Sequence, residues 1–154
     1  MDRLAVSDAA TLMTLLHPKR TVSLSRLLPG WDMLQCDVPS RERVEAALAI
    51  LAGSGLAEVD SSWGMRLTEE GGRLRRSVKG VRGMREIPGL IGALLEGRQL
   101  SRAPLSLPQP IFDAAREEYF DAARRRAERR SRGHWWWPDP SRPPRTKPSG
   151  DGRR

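Results

Sequence analysis

Residues 40–78 constrain the fold of this chain more than any other stretch, because helix, turn and strand signals follow one another closely there. Ser40 follows Pro39 and can cap the first N–H groups of a helix. Glu42 would lie in the first turn, where the helix dipole favours a negative charge. Four apolar residues then share one helical face: Val44, Ala47, Leu48 and Leu51. The stretch therefore begins with a capped amphipathic helix over residues 40–54.

The end of this helix and a short hairpin are also predicted. Gly55 can adopt the left-handed conformation just past the helix, and Leu56 would fold back onto Leu51. Apolar and polar residues alternate over residues 56–60 and, more weakly, over residues 65–67. This pattern predicts two short strands joined by a tight turn.

A second capped helix is expected directly after the hairpin. Thr68 can cap it, and Glu69 and Glu70 would occupy its first turn. Gly71 and Gly72 weaken it by about 1 kcal/mol each relative to alanine.

This order of elements resembles the second half of a winged helix-turn-helix. The segments LAILAGSGLAEVD and RLTEEGGRL resemble the core of MarR- and PadR-type bacterial regulators, in which a leucine helix, a Gly-Leu break, a hairpin and a Leu-Thr-x-x-Gly helix start recur. The preceding SLSRLLPGWDMLQCDVPS is similar to the second helix and turn of small actinobacterial winged-helix proteins. The resemblance covers residues 1–81 and implies a mainly α fold with a small β-hairpin, extended by C-terminal helices.

Pro29 departs from that pattern. A proline inside a helix removes a backbone donor and costs ~3 kcal/mol or more. We therefore expect the second helix, which begins near Val22, to be broken or to restart near Pro29. A first helix is expected over residues 4–16, where His17 and Pro18 end it.

The rest of the chain reads as extensions of this domain. Pro88 opens a short helix over residues 89–96, and three leucines are expected to hold the following loop against the domain: Leu100, Leu105 and Leu107. The predicted organisation is a winged-helix domain with a short helical extension at 1–98, a proline-rich loop at 99–110, a basic helix at 111–132 and a disordered tail at 133–154.

The helix over residues 111–130 is the longest one predicted. Its apolar positions recur every three or four residues: Ile111, Ala115, Tyr119 and Ala122. Long terminal helices pair the subunits of MarR- and PadR-like proteins, so the resemblance implies a homodimer through this helix.

Charge and cysteine content limit the class of protein. The net charge of +8 is uneven, because residues 1–100 carry 14 Lys/Arg against 12 Asp/Glu and residues 101–154 carry 13 against 7. Arginine outnumbers lysine 24 to 3, which reflects a GC-rich genome as much as function. The single cysteine, Cys36, excludes an intramolecular disulfide and a multi-cysteine zinc site. We expect it to be buried.

No targeting or catalytic signal emerges. The N-terminus lacks the apolar run of a signal peptide, and no segment approaches the ~20 apolar residues of a membrane span, so a cytoplasmic bacterial protein is expected. The two histidines are His17 and His134, and the former is expected to cap a helix end. With no Ser-His-Asp set, phosphate loop or metal-ligand spacing, neither enzyme activity nor a cofactor is expected.

The helix over residues 40–54 stands where a recognition helix enters the major groove. Its N-terminal residues Ser40, Arg41 and Arg43 are therefore candidate DNA contacts, and an arginine there can bind guanine through two hydrogen bonds. A purely structural helix remains the alternative, because Glu42 and Glu45 cancel the two arginines.

Other basic residues could bind phosphates. Arg66 lies in the hairpin, whose two carboxylates oppose such contacts. Two basic runs follow it, and each could instead be a solvated helical face. The first run comprises Arg73, Arg75, Arg76, Lys79, Arg82 and Arg85, and the second begins with Arg124, Arg125 and Arg126 and continues to Arg132.

Three consecutive tryptophans, Trp135, Trp136 and Trp137, stand in the polar tail. They could anchor in a partner protein, stack on unpaired bases, lie at a membrane interface or pack back on the domain. We prefer the partner motif.

The predicted function is a DNA-binding transcriptional regulator that reads the major groove with residues 40–54. The alternative is a winged-helix protein–protein interaction module without sequence-specific DNA binding. The weak net charge of this helix and of the hairpin favours that alternative.

Overall fold

The computed structural model describes residues 2–78 and 83–132, and the elements in these ranges are mainly helical with one small antiparallel sheet. The elements are α1 Arg3–Leu15, α2 Leu24–Gln35, α3 Arg41–Gly53, β1 Ala57–Val59, β2 Met65–Leu67, α4 Glu69–Ser77, a 3-10 helix Met84–Glu86, α5 Ile87–Glu96 and α6 Gln109–Arg132. The chain divides into two compact units, Met1–Phe120 and Asp121–Arg154. Lys79, Arg82, the three tail tryptophans and the rest of the predicted disordered tail lie outside the described residues.

The predicted helix caps of the central stretch are confirmed. The Ser40 hydroxyl accepts a hydrogen bond from the Arg43 N–H, and the Thr68 hydroxyl accepts one from the Gly71 N–H. Gly55 has a φ of +72°, and the Leu56 N–H donates to the Leu51 carbonyl at 2.8 Å. Local capping chemistry therefore sets the limits of α3 and the start of α4.

The predicted break at Pro29 is wrong, because α2 runs continuously from Leu24 to Gln35 with Pro29 inside it. The helix tolerates the missing N–H because three of its side chains are fully buried: Leu27, Leu28 and Trp31. Burial of each contributes about 1.5–3 kcal/mol, which together exceeds the ~3 kcal/mol cost of the proline.

The hairpin is antiparallel, with Ala57 opposite Leu67 and Glu58 opposite Arg66. A third segment joins it, since the Val22 N–H donates to the Met65 carbonyl at 2.8 Å and the Met65 N–H donates back at 2.9 Å. The sequence pattern placed Val22 in a helix, and the bridge ties the α1–α2 connection to the sheet instead.

Helix α3 is largely buried within the larger unit. Six of its residues are buried, namely Val44, Ala47, Leu48, Ala49, Ile50 and Leu51, so little of its surface faces solvent. At Gly71 a Cβ would overlap the Leu56 carbonyl, and α4 can therefore approach the residue before β1 only because this residue is glycine. Gly71 lowers the helix propensity of α4, but the absence of a side chain there permits this close packing.

The first part of α6, residues 109–120, packs on its own unit. Phe112 and Ala115 are buried, and the Tyr119 hydroxyl donates to Asp32 Oδ2 at 2.6 Å. Ile111, predicted on the apolar stripe, is 40 % exposed. Phe112 takes the buried position because the larger ring removes more apolar surface from water.

The predicted packing of the loop after α5 is confirmed, and the predicted burial of Cys36 is wrong. The loop after α5 is held as predicted, with Leu107 buried and Leu100 and Leu105 packed against the core. Cys36, expected to be buried, is exposed at the C-terminus of α2 with a left-handed φ of 57°. It ends the helix in the place usually taken by glycine.

Candidate anion-binding cleft

Arg43, a candidate base contact, is turned toward its own domain. Its Nε and Nη2 donate to the two carboxylate oxygens of Asp8 at 3.0 and 2.8 Å, and Nη2 also donates to Gln35 Oε1 at 2.7 Å. The Asp8 side chain is only 2 % exposed. The hydrogen bonds from Arg43 to this carboxylate raise the pKa of the guanidinium. Arg43 is a structural partner of Asp8 in this conformation.

Arg41 is likewise held by its own chain. Its Nη1 donates to Glu45 Oε2 at 2.6 Å and to the Leu107 carbonyl at 2.9 Å, and its Nε donates to Gln109 Oε1 at 3.0 Å. Hydrogen bonding to the backbone at the helix N-terminus, with help from Arg41, lowers the pKa of the exposed Glu42.

Residues 101–107, here called the strap, lie along the outer face of α3. The Ala103 N–H donates to the Ala49 carbonyl at 2.9 Å, and the Leu107 N–H donates to Glu45 Oε2 at 2.7 Å. A Cβ on Gly53 would overlap the strap backbone, so this glycine allows the close approach. For α3 to enter a major groove the strap would have to move away.

The two remaining predicted phosphate contacts near the hairpin are engaged in surface ion pairs. Arg66 pairs with Glu58 across the strands at 2.8 Å, and Arg73 pairs with Glu70 at 3.0 Å. Exposed pairs of this kind contribute about 0–1 kcal/mol. They nevertheless cancel the positive charge that a phosphate would meet on this side of the domain.

Arg75 and Arg76, from the same predicted basic run, lie in a different environment. They line an open cleft of about 710 Å³ between α4 and the connection from α1 to α2. Three more cations from that connection and from α2 line the same cleft: Lys19, Arg20 and Arg26. The fold thus brings together five basic side chains from two distant parts of the chain.

No carboxylate is found among the described residues that line the cleft. Within residues 2–78 and 83–132, none of its five cationic side chains forms an ion pair or a hydrogen bond. Arg75 is half-buried and the other four are exposed. Like charges in one cleft repel each other at close range, and a bound anion would relieve that repulsion.

The connection that carries Lys19 and Arg20 is held in place on both sides. His17 Nδ1 accepts a hydrogen bond from the Lys19 N–H at 3.0 Å, and the His17 carbonyl accepts one from Leu67 at 3.0 Å. His17 thus stabilises a turn, whereas the sequence predicted a helix cap. Sequence reasoning missed Lys19 and Arg20 as candidate site residues, because their proximity to α4 is a tertiary feature.

The second basic run lies in the other unit and is exposed. Arg124 pairs with Asp121, and Arg126 Nε donates to the Ala122 carbonyl at 3.4 Å. Arg125 forms no ion pair with any described residue. This part of α6 therefore presents cations to solvent.

No group of three or more His, Cys, Asp or Glu side chains in the described residues could hold a metal ion. None of the described helices combines the length and apolar character needed to cross a bilayer.

No family model, no curated protein and no solved structure matches this chain.

Proposed function

We propose that this protein is a nucleic-acid-binding protein of the winged-helix type that holds backbone phosphates in the basic cleft. The observation that supports this proposal is the convergence of five unpaired cations where no described lining residue is acidic. Phosphate contacts by Lys and Arg supply most of the sequence-independent affinity of proteins for nucleic acid.

The order of elements supports the winged-helix part of the proposal. Three helices precede a two-stranded hairpin, the Val22 segment bridges to that hairpin, and α4 follows it. The cleft lies beside this assembly and is lined by α2 and α4 as well as by the α1–α2 connection.

Binding in this conformation is proposed to be independent of base sequence. The arginines predicted to read bases, Arg41 and Arg43, are bonded within the domain, and the strap covers α3. Transcriptional regulation through α3 would require release of the strap. We therefore propose that binding of nucleic-acid phosphates in the cleft is the principal activity of this conformation. The exposed cations of residues 124–132 would add affinity without sequence preference.

Fluorescence anisotropy with a labelled random duplex across a salt series tests the proposal. The informative variant is Arg75→Gln/Arg76→Gln. Its matched control is Arg66→Gln/Arg73→Gln, which removes the same charge from residues already paired with carboxylates. We expect the cleft variant to bind more weakly and to lower the slope of log K against log salt by about 0.9 per lost contact.

The control should retain most of the wild-type affinity. Absence of binding at low salt, or equal losses in both variants, would contradict the proposal. Circular dichroism of both variants shows whether the fold is retained.

One observation favours the alternative, a protein-interaction module. Leu90 and Leu94 are 44 and 40 % exposed and stand four residues apart on α5, so they lie on one face of that helix. A comparison of nucleic-acid binding by wild type and by Leu90→Ser/Leu94→Ser distinguishes the two functions. The variant should bind as tightly as wild type if the cleft is the functional site.

A further inference from the structure

The basic cleft has two chemically different parts. Four of its five cations are exposed, whereas the apolar side chains that line it are buried or half-buried, as are Thr14, His17 and Arg75. Leu16 is only 4 % exposed, and Leu15, Pro18 and Val22 are half-buried. A ligand that fills this cleft would meet both surfaces.

The size of the cleft argues against a bare phosphate as its full occupant. Ligand pockets for small organic molecules measure about 300–1,000 Å³, and the cleft, at about 710 Å³, lies inside that range. One phosphate group would engage some of the cations and would leave the apolar part in contact with water.

Duplex nucleic acid cannot use both parts of the cleft, because its bases are paired and stacked inside the helix. A duplex backbone would lie across the exposed cations. An unpaired nucleotide, by contrast, carries a charged phosphate and a largely apolar base that can enter a pocket.

We infer that the cleft binds an unpaired nucleotide unit, with its phosphate at the exposed cations and its base against the apolar lining residues Leu15, Leu16, Pro18 and Val22. This inference rests on the proposed function and narrows its substrate class to single-stranded nucleic acid. A free nucleotide presents the same chemistry, so the experiment has to separate the two sources.

The first measurement compares a labelled 12-residue oligo-dT strand with a 12-base-pair duplex at one salt concentration. Full-length protein should bind the single strand about tenfold more tightly, since removal of base surface from water adds to the phosphate contacts. Equal or tighter binding of the duplex would overturn the inference and would leave the proposed nucleic-acid binding intact.

The second measurement is competition against the bound strand by thymidine 5′-monophosphate, inorganic phosphate and thymidine, each used alone. The nucleotide should compete at a lower concentration than inorganic phosphate, and thymidine should compete weakly. Equal competition by the nucleotide and by inorganic phosphate would overturn the inference, because the apolar lining residues would then contribute nothing to binding.

Variants assign the binding to the cleft. Arg26→Gln/Arg75→Gln should weaken both the strand and the nucleotide, whereas Arg66→Gln/Arg73→Gln, outside the cleft, should weaken neither by more than about twofold. Loss of affinity only in the second variant would overturn the inference. If the nucleotide bound directly in calorimetry while neither strand nor duplex did, the cleft assignment would stand with a free nucleotide as ligand, and the proposed nucleic-acid binding would be rejected.

Discussion

Arg43 donates hydrogen bonds to both carboxylate oxygens of Asp8, at 3.0 and 2.8 Å, and so links the N-terminus of α3 to the middle of α1. Gln35 completes the cluster, because its side-chain nitrogen donates to Asp8 while its oxygen accepts from Arg43. A residue expected to read bases therefore satisfies a buried negative charge. This arrangement makes stability, rather than DNA affinity, the first property to measure at Arg43.

Arg43→Ala should lower the free energy of unfolding by about 3 kcal/mol or more, because removal of one partner leaves the buried Asp8 carboxylate uncompensated. Urea denaturation followed by circular dichroism measures this loss. The control is the double variant Asp8→Ala/Arg43→Ala, which should be more stable than Arg43→Ala alone. Wild-type stability with loss of DNA binding in Arg43→Ala would instead support base reading.

Gly53→Ala should destabilise the protein by about 1–3 kcal/mol, since the added Cβ overlaps the backbone of the strap at Ser101 and Ala103. Gly89→Ala is the matched control, because a Cβ there has open space in a helix. It should be neutral or stabilising by up to about 1 kcal/mol. Thermal unfolding of both variants checks the pair, and equal melting temperatures would argue that the strap is not packed on α3.

Cys36→Gly should stabilise the protein by about 0.5–1 kcal/mol, because the left-handed φ of 57° strains a residue with a Cβ. Cys36→Val should be less stable than wild type for the same reason. Chemical denaturation of the three proteins gives the order. The native thiol should also react with a water-soluble thiol reagent without denaturant, and protection until unfolding would contradict its exposed position.

Tyr119→Phe should cost about 1–1.5 kcal/mol, since it removes the hydrogen bond to Asp32 and leaves that carboxylate without this donor. Phe120→Ala, at a neighbouring exposed position, should change stability less. Denaturation curves test both changes.

Sedimentation of wild type and variants tests the predicted homodimer. A dimer that Phe120→Ala dissociates would assign the exposed face of α6 to subunit pairing.

The local parts of the fold were predictable from neighbouring residues. The caps at Ser40 and Thr68, the left-handed Gly55 and the hairpin pairing all depend on interactions within a few residues. Pro29 shows where local reasoning failed. Helix propensity alone predicts a break there, whereas burial of Trp31 and its neighbours outweighs the cost of the proline.

The candidate site was predictable only in part. Charge marks Arg75 and Arg76 as possible phosphate contacts, but it marks Arg66 and Arg73 in the same way, and position in the recognition-helix place marks Arg41 as a base contact. Charge in a sequence does not reveal whether a carboxylate lies opposite it in space. Arg41 is neutralised by Glu45 on its own helix, and Leu107 of the strap and Gln109 of α6 complete its hydrogen bonds from more than 60 positions away.

Interactions between neighbouring residues set the limits of α3, the hairpin and the start of α4, because capping, glycine conformation and hydrophobic periodicity act over short distances. Tertiary structure alone decided which cations are available to a ligand. It placed Lys19 and Arg26 beside Arg75, away from described carboxylates, and it laid the strap over α3. The reason is physical: the electrostatic environment of a side chain is set by its neighbours in space, and most of those come from remote parts of the chain.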